Sequence, residues 1–316
     1  MQLVKLFSKK HYNTFKKLFQ YLIALTENKI YTKYCMRKIN FEITELQSGF
    51  RIKDFLKNFG VSSALLTKLK KTENGILLNG SFARAIDVLK SGDRLQISVE
   101  NSGHMPVPAD LPVFVLYEDE DILAVDKPPF MPVHESRNHR VDTLSNAVSN
   151  YIREDTAFRA VYRLDRDTSG IVLIAKHELS AAKLAGKIQK DYYAVVTGIL
   201  LESGTVALPI KRLDESIIKR CISADGEHAV THYEIISTKN GTTLLKLNLE
   251  TGRTHQIRVH LSHIGHPLLG DTLYGGDERF INRQALHCRD IYFMHPITEK
   301  PIHITSPFPN DFKQLI

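Results

Sequence analysis

Cysteine is scarce in this 316-residue chain, and its three copies, Cys35, Cys221 and Cys288, lie far apart with no Cys-x-x-Cys pair. Neither a disulfide framework nor a thiolate zinc site is expected from them, and they read as reduced bystanders. Long apolar runs are missing too. No segment offers the roughly 20 apolar residues that span a bilayer, and the N-terminus lacks the hydrophobic core and small-residue cleavage site of a signal peptide. A cytoplasmic protein with no membrane attachment is the expectation. Acidic residues are scarce only at the front: Lys and Arg outnumber Asp and Glu 9 to 3 over residues 1–50 and 9 to 5 over 51–100, but fall behind, 24 to 27, over the remainder. The net charge of +7 is therefore a property of the front third, and it points to a polyanionic partner.

What is present begins with Tyr162-Arg163-Leu164-Asp165-Arg166-Asp167-Thr168-Ser169-Gly170, which runs into the apolar stretch Ile171 to Ala175. Two arginines alternate with two acids, turn formers follow, and the apolar run reads as a buried strand. Positive charge on both sides favours the ionised form of a carboxylate, so Asp165 is a candidate nucleophile or base. From charge alone a solvated salt-bridge ladder at a strand entrance is the simpler account. The full string, however, closely resembles the signature loop of the RluA-type pseudouridine synthases. That resemblance implies that Asp165 is the catalytic residue and that Asp167 shapes the turn. Where the family commonly has His before Arg-Leu-Asp, this chain has Tyr162, a departure that bears on fine geometry or substrate choice.

Taken in order, residues 1–49 read as a basic extension. Met36 looks like a natural start, and the segment before it is expected to be disordered or not made. Residues 50–100 carry two short helical patterns, one with Ile52, Phe55 and Leu56 on a face and one capped at Ser62-Ser63 with Leu65, Leu66 and Leu69, then strands at 75–80 and 91–99. This order, with "LLNG" and "SGDRLQISV", resembles the S-four-like RNA-binding fold; a protein-docking module is the rival reading. Lys68, Lys70 and Lys71 are placed on the second helix as RNA contacts. Residues 101–110 form a Pro/Gly/Ser-rich linker, and 111–316 a second domain opening with an acidic-turned hairpin around Glu118 to Asp121. There "YEDEDILAVDKPPFMPVH" resembles the start of the synthase catalytic domain, except that Lys127-Pro128-Pro129-Phe130 replaces the family's usual Lys-Pro-x-Gly. The fold expected from the resemblance is α+β: a mixed, largely antiparallel sheet behind a small α/β RNA-binding domain.

A helix is expected over 177–188, then a strand holding Lys190-Asp191-Tyr192-Tyr193-Ala194, which resembles the family's Lys-x-Tyr-x-Ala motif and implies that Tyr192 is the active-site tyrosine. Strand alternation puts Tyr192 and Tyr193 on opposite faces, so only one faces substrate. The run from Thr251 to Pro267 holds four histidines, yet shows no carboxylate at ligand spacing and alternates like a strand, which argues against a metal. It resembles the family's Gly-Arg-x-His-Gln-Ile-Arg-x-His motif. Arg258 is then implied as partner of Asp165, with Arg253, His255, Gln256, Arg163 and Arg166 as substrate contacts. The implied activity is isomerisation of uridine to pseudouridine in structured RNA, without cofactor or metal, with large-subunit ribosomal RNA the expected substrate and transfer RNA the alternative. A monomer is the default. Two other classes compete: a glycoside or nucleoside hydrolase using Asp165 and Asp167, and a non-catalytic RNA-binding protein.

Overall fold

The structure, a computed structural model, describes residues 36–316 apart from 102 and 153–156. The segment expected to be an extension before Met36 thus lies outside the described residues. The front unit starts earlier than expected. Strand β1 (Met36–Glu42) precedes helices α1 (Ile52–Phe59) and α2 (Ser63–Leu69), then β2 (Ile76–Leu78), β3 (Ser81–Phe82) and β4 (Arg94–Glu100). The sheet order is β1-β4-β2-β3, all antiparallel. Residues 36–49, assigned to the extension from sequence, therefore belong to this unit. Their strand was hard to read because Ile39 is its only fully buried side chain, so alternation scarcely shows.

Local chemistry accounts for the rest of the unit. The Ser62 hydroxyl accepts the Leu65 N–H at 3.1 Å and caps α2. Gly60, at φ 104°, ends α1 in a left-handed turn. Asn79-Gly80, at φ 54° and 82°, makes the two-residue hairpin that "LLNG" forecasts. Lys70 and Lys71 fall beyond the end of α2 rather than within it, and both are exposed.

The second unit comprises β5 (Val115–Glu118), β6 (Ile122–Lys127), α3 (Leu144–Ile152), β7 (Ser169–Ala175), α4 (Glu178–Leu184), β8 (Gln189–Thr197), β9 (Gly204–Ala207), β10 (Ile210–Arg212), β11 (Arg220–Ile222), β12 (Val230–Lys239), β13 (Thr242–Leu249), α5 (Gln256–His263), β14 (Leu286–Met294), β15 (Pro301–Thr305) and α6 (Asn310–Lys313). Nine strands form one sheet in the order β5-β6-β7-β14-β8-β13-β12-β9, with β15 added on β14; β10 and β11 form a separate hairpin. Among the described residues only the β7–β14 pair is parallel, which gives the expected mixed, largely antiparallel α+β fold. That pair explains the glycine of the signature loop. A Cβ on Gly170, at φ 113°, would lie 2.1 Å from the Cys288 carbonyl oxygen, so only glycine lets β7 leave the loop against β14.

Two expectations need correction. The helix forecast over 177–188 stops at Leu184, because Ala185 leaves the helical region and Gly186 turns at φ 70°. The stretch read as an alternating strand within 251–267 is helix α5, buried on nearly every side. A helix without a polar face carries no 3.6-residue pattern, and its interleaved polar residues imitate strand alternation.

The two units are joined by buried charge. Arg37 on β1 grips Asp121 in the acidic turn with both oxygens, Nε to Oδ1 at 2.7 Å and Nη2 to Oδ2 at 3.2 Å. Asp121, 3 % exposed, also bonds His177 at 2.9 Å. Burial works against its charge, but His177 and Arg37 hold the carboxyl below its ordinary value. Leu179 of α4 completes the front core, and Lys183 lies 3.7 Å over the Phe59 ring. Lys68, forecast as an RNA contact, is paired across the same seam with Glu178. The stretch 103–110 is also pinned to the second unit, through His104, Val107 and Ala109. Arg37→Ala should lower unfolding free energy by about 2 kcal/mol, the loss of a charge-assisted pair to a buried carboxylate. A urea melt at pH 7 measures this, and an unchanged midpoint would show that the seam carries no stability.

Candidate active site

The signature loop enters β7 at the floor of a solvent-open cleft. Arg163, Leu164, Asp165 and Thr168 come from the loop, Tyr192 from β8, Leu249 from the end of β13, Leu286 from β14, Gly252, Arg253 and His255 from the turn before α5, and Gln256, Ile257 and Arg258 from α5 itself. Four segments distant in sequence thus meet at Asp165. It is the only acid among the described residues that line the cleft.

Arg258 is the central cation. Its Nε and Nη2 grip Asp271 Oδ2 and Oδ1 at 2.7 and 2.8 Å, while Nη1 reaches Asp165 Oδ2 at 3.2 Å. Burial opposes this charge, yet the Asp271 bonds, with Asp165 adding to them, raise the guanidinium above its ordinary value. It lies 5.0 Å over the Tyr274 ring. The sequence stretch "GHPLLGDTLYGG" contains both Asp271 and Tyr274, but neither was singled out: Asp271 is 13 residues from Arg258, outside any local ligand spacing.

Tyr192 borders the cleft, whereas Tyr193 turns to the other face and packs edge-on against Phe308 at 5.2 Å. Burial, with Cys288 and Asp165 nearby, pushes the Tyr192 hydroxyl well above its ordinary value, so it is a neutral phenol at physiological pH. Tyr162 does not line the cleft. Its hydroxyl donates to the Ile171 carbonyl at 3.0 Å and Lys190 Nζ lies 4.8 Å over its ring, so it braces the base of β7.

The other forecast contacts divide. Arg163 is exposed on the cleft wall. Arg166 turns away onto Asp167, at 2.7 and 3.0 Å, outside the cleft. Arg253 is on the wall but is committed to Glu227 and the His228 carbonyl. Gln256 lines the cleft, but its polar atoms are already engaged. It is 2 % exposed, its oxygen accepts from Thr251 and the Arg253 N–H, and its amide donates to Val230 and Thr231, so it ties α5 to β12. The histidines disperse: His255 faces Asp165, His260 bonds Thr231 and the Leu208 carbonyl, and His266 bonds the Thr197 carbonyl. Among the described residues one trio elsewhere, Asp119, Asp121 and His295, has metal-compatible spacing. Arg37, His177 and Tyr117 already satisfy those carboxylates.

Two supports went unnoticed from sequence. Lys127, fully buried, donates from Nζ to the carbonyls of Pro128, Met131 and Arg166, the last at 2.9 Å, so it holds the signature loop from beneath; burial pushes it down to about 7. Arg283 reaches the Asp167 carbonyl at 3.3 Å while pairing with Asp311. Beside Lys127, Phe130 stands at φ 64°, a conformation that suits the family's usual glycine better than phenylalanine.

Comparison with known proteins bears on this arrangement directly. A family model for RNA pseudouridylate synthase matches residues 121–263. A Bacillus subtilis protein titled uncharacterized RNA pseudouridine synthase YjbO is 40% identical over 277 residues, covering 84% of this chain and 98% of its own. The chain is an RluA-type pseudouridine synthase. Ribosomal large subunit pseudouridine synthase D of Xanthomonas campestris pv. campestris is 37% identical over 267 residues, 76% of this chain and 80% of the relative. Human RNA pseudouridylate synthase domain containing 1 shares the fold with a TM-score of 0.53 at 25% identity, over 63% of this chain and 84% of that one. In this synthase the hydrolase and non-catalytic readings lapse: Asp167 is outside the cleft, which leaves a single carboxylate where two would be needed.

Asp271→Ala should cost about 3–5 kcal/mol of stability, because it strips a buried guanidinium of its bidentate partner. Guanidinium chloride unfolding at pH 7 measures the loss, and a change below 1 kcal/mol would show that Asp165 alone satisfies Arg258.

Proposed function

We propose that this enzyme converts uridine to pseudouridine in large-subunit ribosomal RNA, with Asp165 as the reacting carboxylate. The observation that carries the site assignment is the Arg258 Nη1 to Asp165 Oδ2 contact of 3.2 Å at the floor of the cleft. It supports an oriented carboxylate with no second acid beside it in the cleft. In the reaction the N-glycosidic bond breaks, uracil turns within the cleft, and its carbon 5 is joined to the ribose. Asp165 serves either by attacking the anomeric carbon or by removing a proton from carbon 2 of the ribose. Tyr192 provides a face for the base. As a neutral phenol it is a poor resting base, which favours a packing role over removal of the carbon 5 proton.

A uridine in folded RNA has to leave its stack to enter, at a cost of a few kcal/mol offset by contacts in the cleft. Arg163, exposed on the wall two residues before Asp165, is suited to fill the vacated place. The ribosomal target is favoured by relatives titled ribosomal large subunit pseudouridine synthase D, at 35% to 37% identity. Lys70 and Lys71, exposed at the end of α2, suit phosphate contact, and the front unit is read as the RNA-binding module on that ground.

Asp165→Asn should reduce pseudouridine formation by roughly 10³-fold or more, as loss of a nucleophile or base commonly does. Carbodiimide mapping of RNA from cells with and without the gene reads the target: marks lost from transfer RNA alone would overturn the ribosomal assignment. Arg163→Ala should slow turnover on a structured RNA by about 10- to 100-fold, equivalent to roughly 1–3 kcal/mol of lost stacking, and should matter far less on an unstructured oligonucleotide. Equal effects on both substrates would exclude the wedge.

A further inference from the structure

His255 adopts a left-handed backbone, φ 57° and ψ 19°, directly before α5. That conformation costs about 1 kcal/mol or more for a non-glycine residue and concentrates at functional sites. It turns the imidazole between two partners: Nδ1 lies 2.9 Å from the Tyr274 hydroxyl oxygen, and Nε2 lies 3.8 Å from Asp165 Oδ2. The same hydroxyl oxygen accepts the backbone N–H of Arg220, on β11, at 2.9 Å.

These contacts choose a tautomer. With the proton on Nδ1, the Tyr274 oxygen would receive two donors, its own hydrogen would find neither of these partners, and the Nε2 lone pair would face a carboxylate oxygen. With the proton on Nε2, Tyr274 accepts from Arg220 and donates to Nδ1, and the Nε2–H points at Asp165. Only the second arrangement matches each donor to an acceptor. Burial, partly opposed by Asp165, also lowers the basicity of His255, so the neutral ring is the relevant species.

We propose that His255 is a positioning residue for Asp165, fixed in its Nε2–H tautomer by Tyr274 and thereby tied to the β10–β11 hairpin. The proposal rests on Asp165 being the reacting carboxylate. Arg258 and His255 both address Oδ2, and no donor among the described residues reaches Oδ1. Oδ1 is therefore the oxygen directed at the ribose. The 3.8 Å separation is longer than a hydrogen bond, as catalytic contacts often are before substrate is bound. The imidazole so far treated as a substrate contact instead sets which carboxylate oxygen reacts.

The test uses the full chain and an unmodified large-subunit ribosomal RNA transcript carrying tritium at uridine carbon 5, with single-turnover tritium release as the rate and filter binding as the affinity. His255→Leu should slow the single-turnover rate by about 10- to 100-fold, the scale of a misplaced reacting group, with RNA affinity nearly unchanged. His255→Gln, which restores an N–H donor, should recover most of that rate, and Tyr274→Phe should fall between. Loss of affinity equal to the loss of rate in His255→Leu, or no recovery in His255→Gln, would overturn the proposal. Should His255→Leu fail to fold, a wild-type rate in Tyr274→Phe would overturn it as well. An Asp165→Asn protein of undiminished rate would remove the assignment of Asp165 and this proposal with it.

Discussion

The site depends on one guanidinium shared unequally between two carboxylates. Arg258 gives its bidentate edge to Asp271 and a single longer bond to Asp165. The inequality is chemically useful. Asp271, 2 % exposed and held by two short bonds, neutralises and aims the cation, so Asp165 is oriented without being fully consumed by its partner. Were Arg258 bidentate to Asp165, both oxygens would be occupied and neither could approach a ribose. A buried ion pair is a weak source of stability, but as a device for fixing where a reactive group points it repays its desolvation.

Everything around Arg258 holds the two acids at that separation. Lys127 fastens the signature loop through the Arg166 carbonyl, Arg283 fastens it through the Asp167 carbonyl, and Gly170 lets β7 depart against β14 without a side chain between them. On the opposite wall Gln256 ties α5 to β12, which sets the height at which Arg258 enters. These supports are polar groups bonded to backbone. That is the economical way to position a loop, since backbone carbonyls need partners when buried regardless of sequence around them.

This division explains what was legible in the sequence. The side chains that the cleft brings together sit in compact motifs, so Asp165, Tyr192 and Arg258, the proposed reacting groups, stand in three short strings. The hairpins and capped helices of the front unit were equally plain, because Asn79-Gly80 and Ser62 act within a few residues. The supports were not legible. Asp271 and Arg283 act on residues 13 and 116 positions away, and Lys127 announces itself only through complete burial of an ammonium. Helix α5 misled because burial on every side erased its amphipathic pattern.

Arg37 comes from the unit richest in positive charge, yet it is spent on Asp121 in the acidic turn of the second unit, and Lys68 is engaged by Glu178. Part of the basic front is therefore internal glue rather than an RNA footprint, and formal net charge overstates what is available to phosphate. Lys70 and Lys71, exposed at the end of α2, are the proposed phosphate contacts that this pairing does not involve. The seam ties the unit that carries those lysines to the acidic turn of the second unit. A front unit on a flexible tether would add affinity alone. On the proposed RNA-binding role of the front unit, one clamped by Arg37 would also constrain how far along the RNA the reacting uridine stands from the bound phosphates.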